Sequence, residues 1–434
     1  MLHARWNCST GVSDMPTVEL KKDVDLSFAD FQKLGNGILP RLDEIRNYEG
    51  IYWSEANQGW IVTGHEELTK AASGDLPLSC DRLVPVTVGK VPIEDRARFY
   101  PTVMHYMPNW IINFDPPDHT RLRKLVVSAL NKKVLNALRP FIEERVDAVL
   151  QTLMQQPEIE FNEQIARELT GSIILKLIGL PPHNIKRLRD WGNAFLEAAG
   201  NPNATHAQLL AMEAAMIEMN IVLSAEIEKR RLHPQTDLLT ALAIANEDGD
   251  RLSMDEMLGA LHVLVIAGHD STMNTTTLGL VTLANNPEFW DYMFEHPDEM
   301  STCVLELMRG MAMMTSQSRF VSADFEWNGK AFKQGQVVFL MLAAGNRDPR
   351  VFPNPDSLDP KRAALDRSLV FNPGMHHCLG HAMAKLQLGI FFGQLVKRFA
   401  GVEVLDDKLA FLPGIAFRGL YHLHVRMRPR QSVA

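Results

Sequence analysis

Cysteine is scarce. Cys8, Cys80, Cys303 and Cys378 lie far apart in 434 residues, with no metal-type pairing, which excludes a disulfide-stapled secreted framework and suits a reducing compartment, the cytoplasm. Long apolar runs are missing as well. Spanning a bilayer takes about 20 apolar residues, and Met1 to Leu20 has no apolar core for a signal peptide or a membrane anchor. Residues 1–20 are therefore expected to be a disordered extension, with Met15 an alternative start. Basic charge is not in excess: 44 Lys and Arg face 52 Asp and Glu, a formal net charge of -8, so a nucleic-acid partner has no general electrostatic support. Tandem repeats, low-complexity tracts and Gly/Ser-rich linkers are absent too. Residues 21–434 read as one domain, with a small strand-rich part at about 45–80 and a helical body at about 110–434.

Helical periodicity dominates what is present. Amphipathic or apolar helices are expected at about 141–154, 162–178, 206–229, 257–283 and 379–399, and a further one opening at Pro297. Short strands are expected at 50–53 with 59–62, and at 336–342. The fold class is mostly α with small β-sheets.

The most informative run is Phe371-Asn372-Pro373-Gly374-Met375-His376-His377-Cys378-Leu379-Gly380. It presents one cysteine on a tight loop just before a long apolar helix. Gly374 can take a positive φ and allow backbone to pass close to a flat cofactor. The first amides of the helix and its dipole are expected to lower the thiol pKa, and a thiolate held there can ligate iron. A buried, inert thiol is the commoner fate of a free cysteine. The basic pair His376 and His377, the glycine loop, the helix start and the aromatic Phe371 are an odd setting for simple packing.

With Phe371, Gly374, His376, Cys378 and Gly380 at these spacings, the run resembles the haem-binding signature of the cytochrome P450 superfamily, with Asn372 where glycine is usual and Met383 where leucine is usual. The resemblance implies the P450 fold, a haem b cofactor whose iron is ligated by Cys378, and O2 as co-substrate. Further motifs extend it from about Trp60 to Arg428. Glu306-Leu307-Met308-Arg309 resembles the family's Glu-x-x-Arg pair and, with Arg362, implies a structural ion cluster behind the cysteine loop. Ala267-Gly268-His269-Asp270-Ser271-Thr272 resembles its oxygen-binding groove. There Ala267 and Gly268 would let the helix approach the haem, and Asp270 and Ser271 would relay protons with Thr272 as a possible assistant; serine stands where threonine is usual. His119 and Arg123 in the stretch after Phe114-Asp115-Pro116-Pro117, Arg319 in Ser318-Arg319-Phe320, and His376 are implied partners of the haem propionates.

What the resemblance implies about activity is monooxygenation: insertion of one oxygen atom into a C–H bond of a hydrophobic small molecule, or dealkylation through such insertion. Electrons would be expected from a ferredoxin and an NAD(P)H-dependent ferredoxin reductase, since no fused flavin or iron–sulfur module is visible in these residues. Lys385, Lys397 and Arg398 form a candidate docking patch. Pocket walls are expected from Met104, Met107, Trp110, Ile112, Val263, Leu264, Ala267, Thr315, Ile415 and Phe417, with Arg82 or His105 a candidate partner for a substrate carboxylate, although exposed loop cations are commoner. Three rivals stand beside this reading: a peroxide-driven peroxygenase, a haem-binding sensor and a cysteine hydrolase.

Overall fold

Helices make up most of the chain, accompanied by a five-stranded sheet, a three-stranded sheet and two short hairpins. The computed structural model describes residues 25, 27, 28, 31–201, 203–247, 250–412 and 414–431. The extension expected at 1–20, the alternative start at Met15 and Cys8 lie outside them. Among the described residues no helix is long and apolar enough to cross a membrane.

One helix, Met254–Ala284, organises the rest. Its start is a capping box: Ser253 Oγ accepts from Glu256 N at 3.2 Å, and the Glu256 carboxylate accepts from Ser253 N at 2.8 Å. Two donors that a helix end leaves unpaired are thereby satisfied. Most of its side chains are buried on all sides, so the helix runs through the interior and not along a surface. Gly279 brings it close to the helix His381–Arg398, because a Cβ there would lie 2.6 Å from Phe392 Cζ. The helices Glu168–Ile178, Ile185–Ala198 and His206–Leu232 pack along other faces.

The stretch 162–178 differs from the single regular helix that its periodicity predicts. It opens with a π turn, Asn162–Arg167, before the α-helix Glu168–Ile178. Asn162 is buried with both ends of its amide engaged, Nδ2 donating to Leu420 O at 2.6 Å and Oδ1 accepting from Thr277 Oγ1 at 2.7 Å. The widened turn keeps that side chain on both partners, a requirement apolar spacing does not encode.

The large sheet has the order Ile51–Ser54, Gly59–Val62, Val337–Leu340, Gln317–Val321, Leu78–Ser79. Val337–Leu340 runs parallel to Gly59–Val62 and antiparallel to Gln317–Val321, with Val338 opposite Arg319. Strand alternation then turns the buried Arg319 to the face opposite Ser318 and Phe320. In the smaller sheet Phe399–Val404 pairs with His424–Pro429, which pairs with Glu158–Glu160. The loop joining its first two strands folds back on the Met313–Ser316 segment: Thr315 N donates to Ala416 O at 2.9 Å, and Arg418 N donates to Met313 O at 2.7 Å.

Candidate active site

The cysteine loop is closed by its own backbone. Cys378 N donates to Phe371 O at 2.8 Å and His377 N to Gly374 O at 3.0 Å. Asn372 and Gly374 both adopt left-handed backbone, with φ of 58° and 76°. Asparagine is one of the few residues with a side chain that tolerates this, and Asn372 Nδ2 donates to His376 O at 3.2 Å. Gly374 is required on a second ground, since a Cβ would sit 1.9 Å from Ala72 O. The helix that follows begins at His381, slightly later than its periodicity suggests.

Electrostatics at the sulfur run opposite to the expectation. Burial pushes the Cys378 thiol up, against the Gly380 amide that donates to it and the charge of Arg123. One amide and one guanidinium do not offset desolvation, so the helix start leaves the free thiol protonated near neutrality.

Beside the loop five basic side chains converge. The rings of His119 and His376 are 4.1 Å apart. Arg123 Nη2 donates to His377 O at 2.5 Å, Arg319 Nη1 to Ser318 O at 2.8 Å, and Arg82 Nη1 to Cys80 O at 3.3 Å. His376 is pushed down to about 3, first by burial and then by His119, Arg319, Arg82 and Arg123. Burial and Arg319 likewise bring Arg82 down to about 10. A carboxylate within reach, Asp115, accepts from Ser79 Oγ at 2.5 Å and Cys80 N at 3.0 Å. His119 Nε2 and His376 Nε2 are buried and find no hydrogen-bond partner among the described residues. Shielded positive charge with unpaired ring nitrogens is costly unless anions meet it. The two carboxylates of a haem would do so, and with a cysteine on the adjoining loop this donor set fits that cofactor. Arg82 belongs to this cluster and not to a site for a substrate carboxylate. His105 is also engaged elsewhere, 2.8 Å from Asp255.

On the Met254–Ala284 helix, Ala267 is exposed and Ser271, one turn on, is half-buried with its hydroxyl donating to Ala267 O. The two share a face. Gly268 does not join them: a Cβ there would lie 2.6 Å from Ile174 Cδ1, so this glycine accommodates the neighbouring helix Glu168–Ile178. Thr272 is buried, donates to Gly268 O at 3.2 Å, and lies round the helix from Ser271. Asp270 is also buried, its Oδ1 2.9 Å from His269 Nδ1. Its Oδ2 finds no partner among the described residues and lies 3.3 Å from where a Gly192 Cβ would stand. The carboxylate thus faces the helix Ile185–Ala198. His269, which motif reading passed over, is its immediate neighbour.

The expected pocket walls divide. Met104, Ile112 and Leu264 are partly buried against the main core, and Phe417 is 39% exposed. Met107, Trp110 and Val263 are buried in that core, and Ile415 packs instead against a separate cluster containing Ile38 and Met341. Thr315 is fully buried. Trp110 has its own partners: its ring centroid is 5.6 Å from Phe195, and its Nε1 donates to His262 Nδ1 at 3.3 Å. Met107, Trp110 and Ile415 therefore contribute packing more than open wall.

His262 is wholly buried with both nitrogens used, the second 2.7 Å from Asn220 Oδ1, and burial pushes its pKa down to about 3. The unfolded chain takes up this proton below about 6.5, whereas the folded chain resists it until about 3. Stability contributed by the neutral ring is therefore lost as pH falls through that window. His262→Gln is expected to lose about 2 kcal/mol less stability than the parent between pH 7 and pH 5. Urea titrations at the two pH values measure this, and equal losses would remove His262 from the acid sensitivity.

Behind the loop, Glu306, Arg309 and Arg362 meet. Glu306 and Arg309 are fully buried, paired through bonds of 2.7 and 2.8 Å, and Arg362 Nε donates to Glu306 Oε1 at 2.9 Å. Their remaining guanidinium donors hold carbonyls of Asn346 and of the segment Pro353 to Ser357. In the candidate docking patch, Arg398 is paired with Asp147, Lys385 Nζ lies 5.5 Å from the Phe371 ring centroid, and Lys397 is exposed.

Comparison with known proteins identifies the family. The Cytochrome P450 family model matches residues 202–408. Cytochrome P450 CYP107DY1 of Priestia megaterium is 30% identical over 370 residues, covering 84% of this chain and 87% of its own length. The Vitamin D(3) 25-hydroxylase of Pseudonocardia autotrophica is 32% identical over 326 residues, covering 74% and 79%. The crystal structure of P450BioI with a hexadec-9Z-enoic acid ligated acyl carrier protein has a TM-score of 0.82 at 27% identity, covering 92% of this chain and all of that one. With identity sustained over most of both chains, and a fold that matches to the same extent, this chain belongs to the cytochrome P450 family.

Proposed function

We propose that in this monooxygenase Cys378 would hold the iron of haem b, and that the substrate is a hydrophobic molecule of moderate size. A ferredoxin and its NAD(P)H-dependent reductase supply the electrons in the cytoplasm. The observation that carries the assignment is the convergence of Arg82, His119, Arg123, Arg319 and His376 beside a shielded cysteine. The reaction consumes R–H, O2, two electrons and two protons and yields R–OH and water. Bound haem supplies the redox centre at which dioxygen is activated.

The chain's own residues do the rest. Gly380 N donates to the sulfur, and Arg123 fixes the loop through His377 O. His119, His376, Arg82 and Arg319 would meet the two propionates, Arg319 from a strand of fixed register. Ser271 presents its oxygen on the face shared with Ala267 and passes protons inward. Asp270 resupplies them from the side of the Ile185–Ala198 helix, oriented by His269. Serine lacks the methyl that restrains a threonine rotamer, so this relay is looser than one built on threonine. Met104, Leu264 and Phe417 supply apolar walls, and a relative named for hydroxylating vitamin D(3) supports an apolar substrate. Lys385 and Lys397 are offered to an acidic redox partner.

Turnover with reduced ferredoxin under labelled dioxygen tests the reading, and the product should carry one labelled oxygen. Turnover with peroxide but none with ferredoxin would reverse it in favour of a peroxygenase. In the same assay Ser271→Ala is expected to raise several-fold the share of reducing equivalents released as peroxide. Unchanged coupling would take Ser271 out of the relay.

A further inference from the structure

We propose that Asp406, His422 and His424 form a site for a borderline divalent transition cation, Zn2+ in the first instance, that staples the neck of the loop 407–421. His422 and His424 are two apart in sequence, and their ring centroids lie 5.5 Å from each other. Asp406 meets them from the end of the partner strand, where Leu405 N donates to His424 O at 2.9 Å. Asp406 Oδ1 is 2.8 Å from His424 Nδ1 and 3.5 Å from His422 Nδ1, and one donor atom from each residue lies within 4.8 Å of the other two. Two ligands of one tetrahedral zinc are about 3.3 Å apart, from bond lengths near 2.0–2.2 Å. The observed spacings bracket that value.

Two further features separate this cluster from a chance surface pair. The carboxylate is oriented from behind, since Asp406 Oδ2 accepts from His424 N at 2.6 Å, which leaves Oδ1 to face both rings. His422 Nδ1 is shielded from solvent and finds no hydrogen-bond partner among the described residues, although its ring is 45% exposed. Two imidazoles and one carboxylate select zinc, copper or nickel over magnesium or calcium. Water completes the coordination on the exposed side.

The site closes the base of a long loop. Between Asp406 and His422 the chain runs out to Ile415 and Ala416, whose carbonyls accept from Ser316 Oγ at 2.7 Å and Thr315 N at 2.9 Å, and returns. A metal bound to both stems removes freedom from everything between them.

The test uses the haem-loaded full chain, treated with EDTA and titrated with ZnCl2 by calorimetry. One saturable equivalent is expected, weakened at least about tenfold by His422→Ala and, separately, by His424→Ala. Both are exposed side chains whose removal leaves the zinc-free melting temperature and haem spectrum at parental values. Amides of 407–421 should exchange more slowly with zinc in the parent and not in His422→Ala. Absence of a saturable equivalent, or variants that bind as the parent does, would overturn the site; binding without slower exchange in the loop would overturn the staple.

Discussion

Cys378→Ala is expected to abolish the red-shifted absorption of the reduced, carbon-monoxide-treated protein and to bring dioxygen-dependent turnover to background. The loop should survive the change. Its closure depends on Cys378 N donating to Phe371 O, on His377 N donating to Gly374 O and on the left-handed residues Asn372 and Gly374, none of which uses the sulfur. The cationic cluster also remains, so some haem should still be retained through its carboxylates. That separates loss of the ligand from loss of the fold: haem content falls only in part while the diagnostic band disappears. A variant that kept the band would show that another atom holds the iron. Because burial holds the free thiol up, deprotonation is tied to metal binding and is not a property of the empty loop.

Glu306→Ala should be the most destabilising substitution outside the hydrophobic core. It leaves Arg309, fully buried, and Arg362 without the carboxylate that both address. Breaking a buried pair by removing one partner costs about 3–5 kcal/mol, a large share of a domain's total stability of about 5–15 kcal/mol. The expected outcome is poor recovery of haem-loaded protein and a large drop in denaturation midpoint. Asp359 N also loses its acceptor, Glu306 Oε1 at 2.9 Å. Glu306→Gln, which keeps shape and an acceptor, should lose less. A midpoint within experimental error of the parent for Glu306→Ala would mean that the two guanidiniums are held by main-chain carbonyls alone.

Much of this was legible in the sequence because it is carried by periodicity and by local backbone rules. The long helix could be read from its apolar run, and the tight loop from Gly374. What was not legible depends on which neighbour a side chain meets. Gly268 reads as a cofactor-facing glycine until Ile174 is seen beside it, and nothing in the order of residues 267–272 says that the Asp270 carboxylate turns toward Gly192. Arg82 is a lone cation in a loop, without the periodic partner that would mark it, yet it stands with Arg319 and His376. The direction of the Cys378 shift is hidden for the same reason: the helix start is local and visible, whereas burial is a property of the whole fold. Trp110 is a pocket wall by family position alone, and its partners Phe195 and His262 come from distant parts of the chain.

The segment Pro353 to Ser357 is held in an unusual way. Four of its carbonyl oxygens receive guanidinium protons, those of Pro353 and Asn354 from Arg362, that of Pro355 from Arg309, and that of Ser357 from both. Its shape is thus dictated by main-chain oxygens that every amino acid possesses. Such a stretch should accept wide variation in residue type at its outward positions, Asn354 with its φ of 51° excepted, but tolerate no added or missing residue, because a shift of one place would pull the oxygens off two immovable arginines. Alphabet is free there and spacing is not.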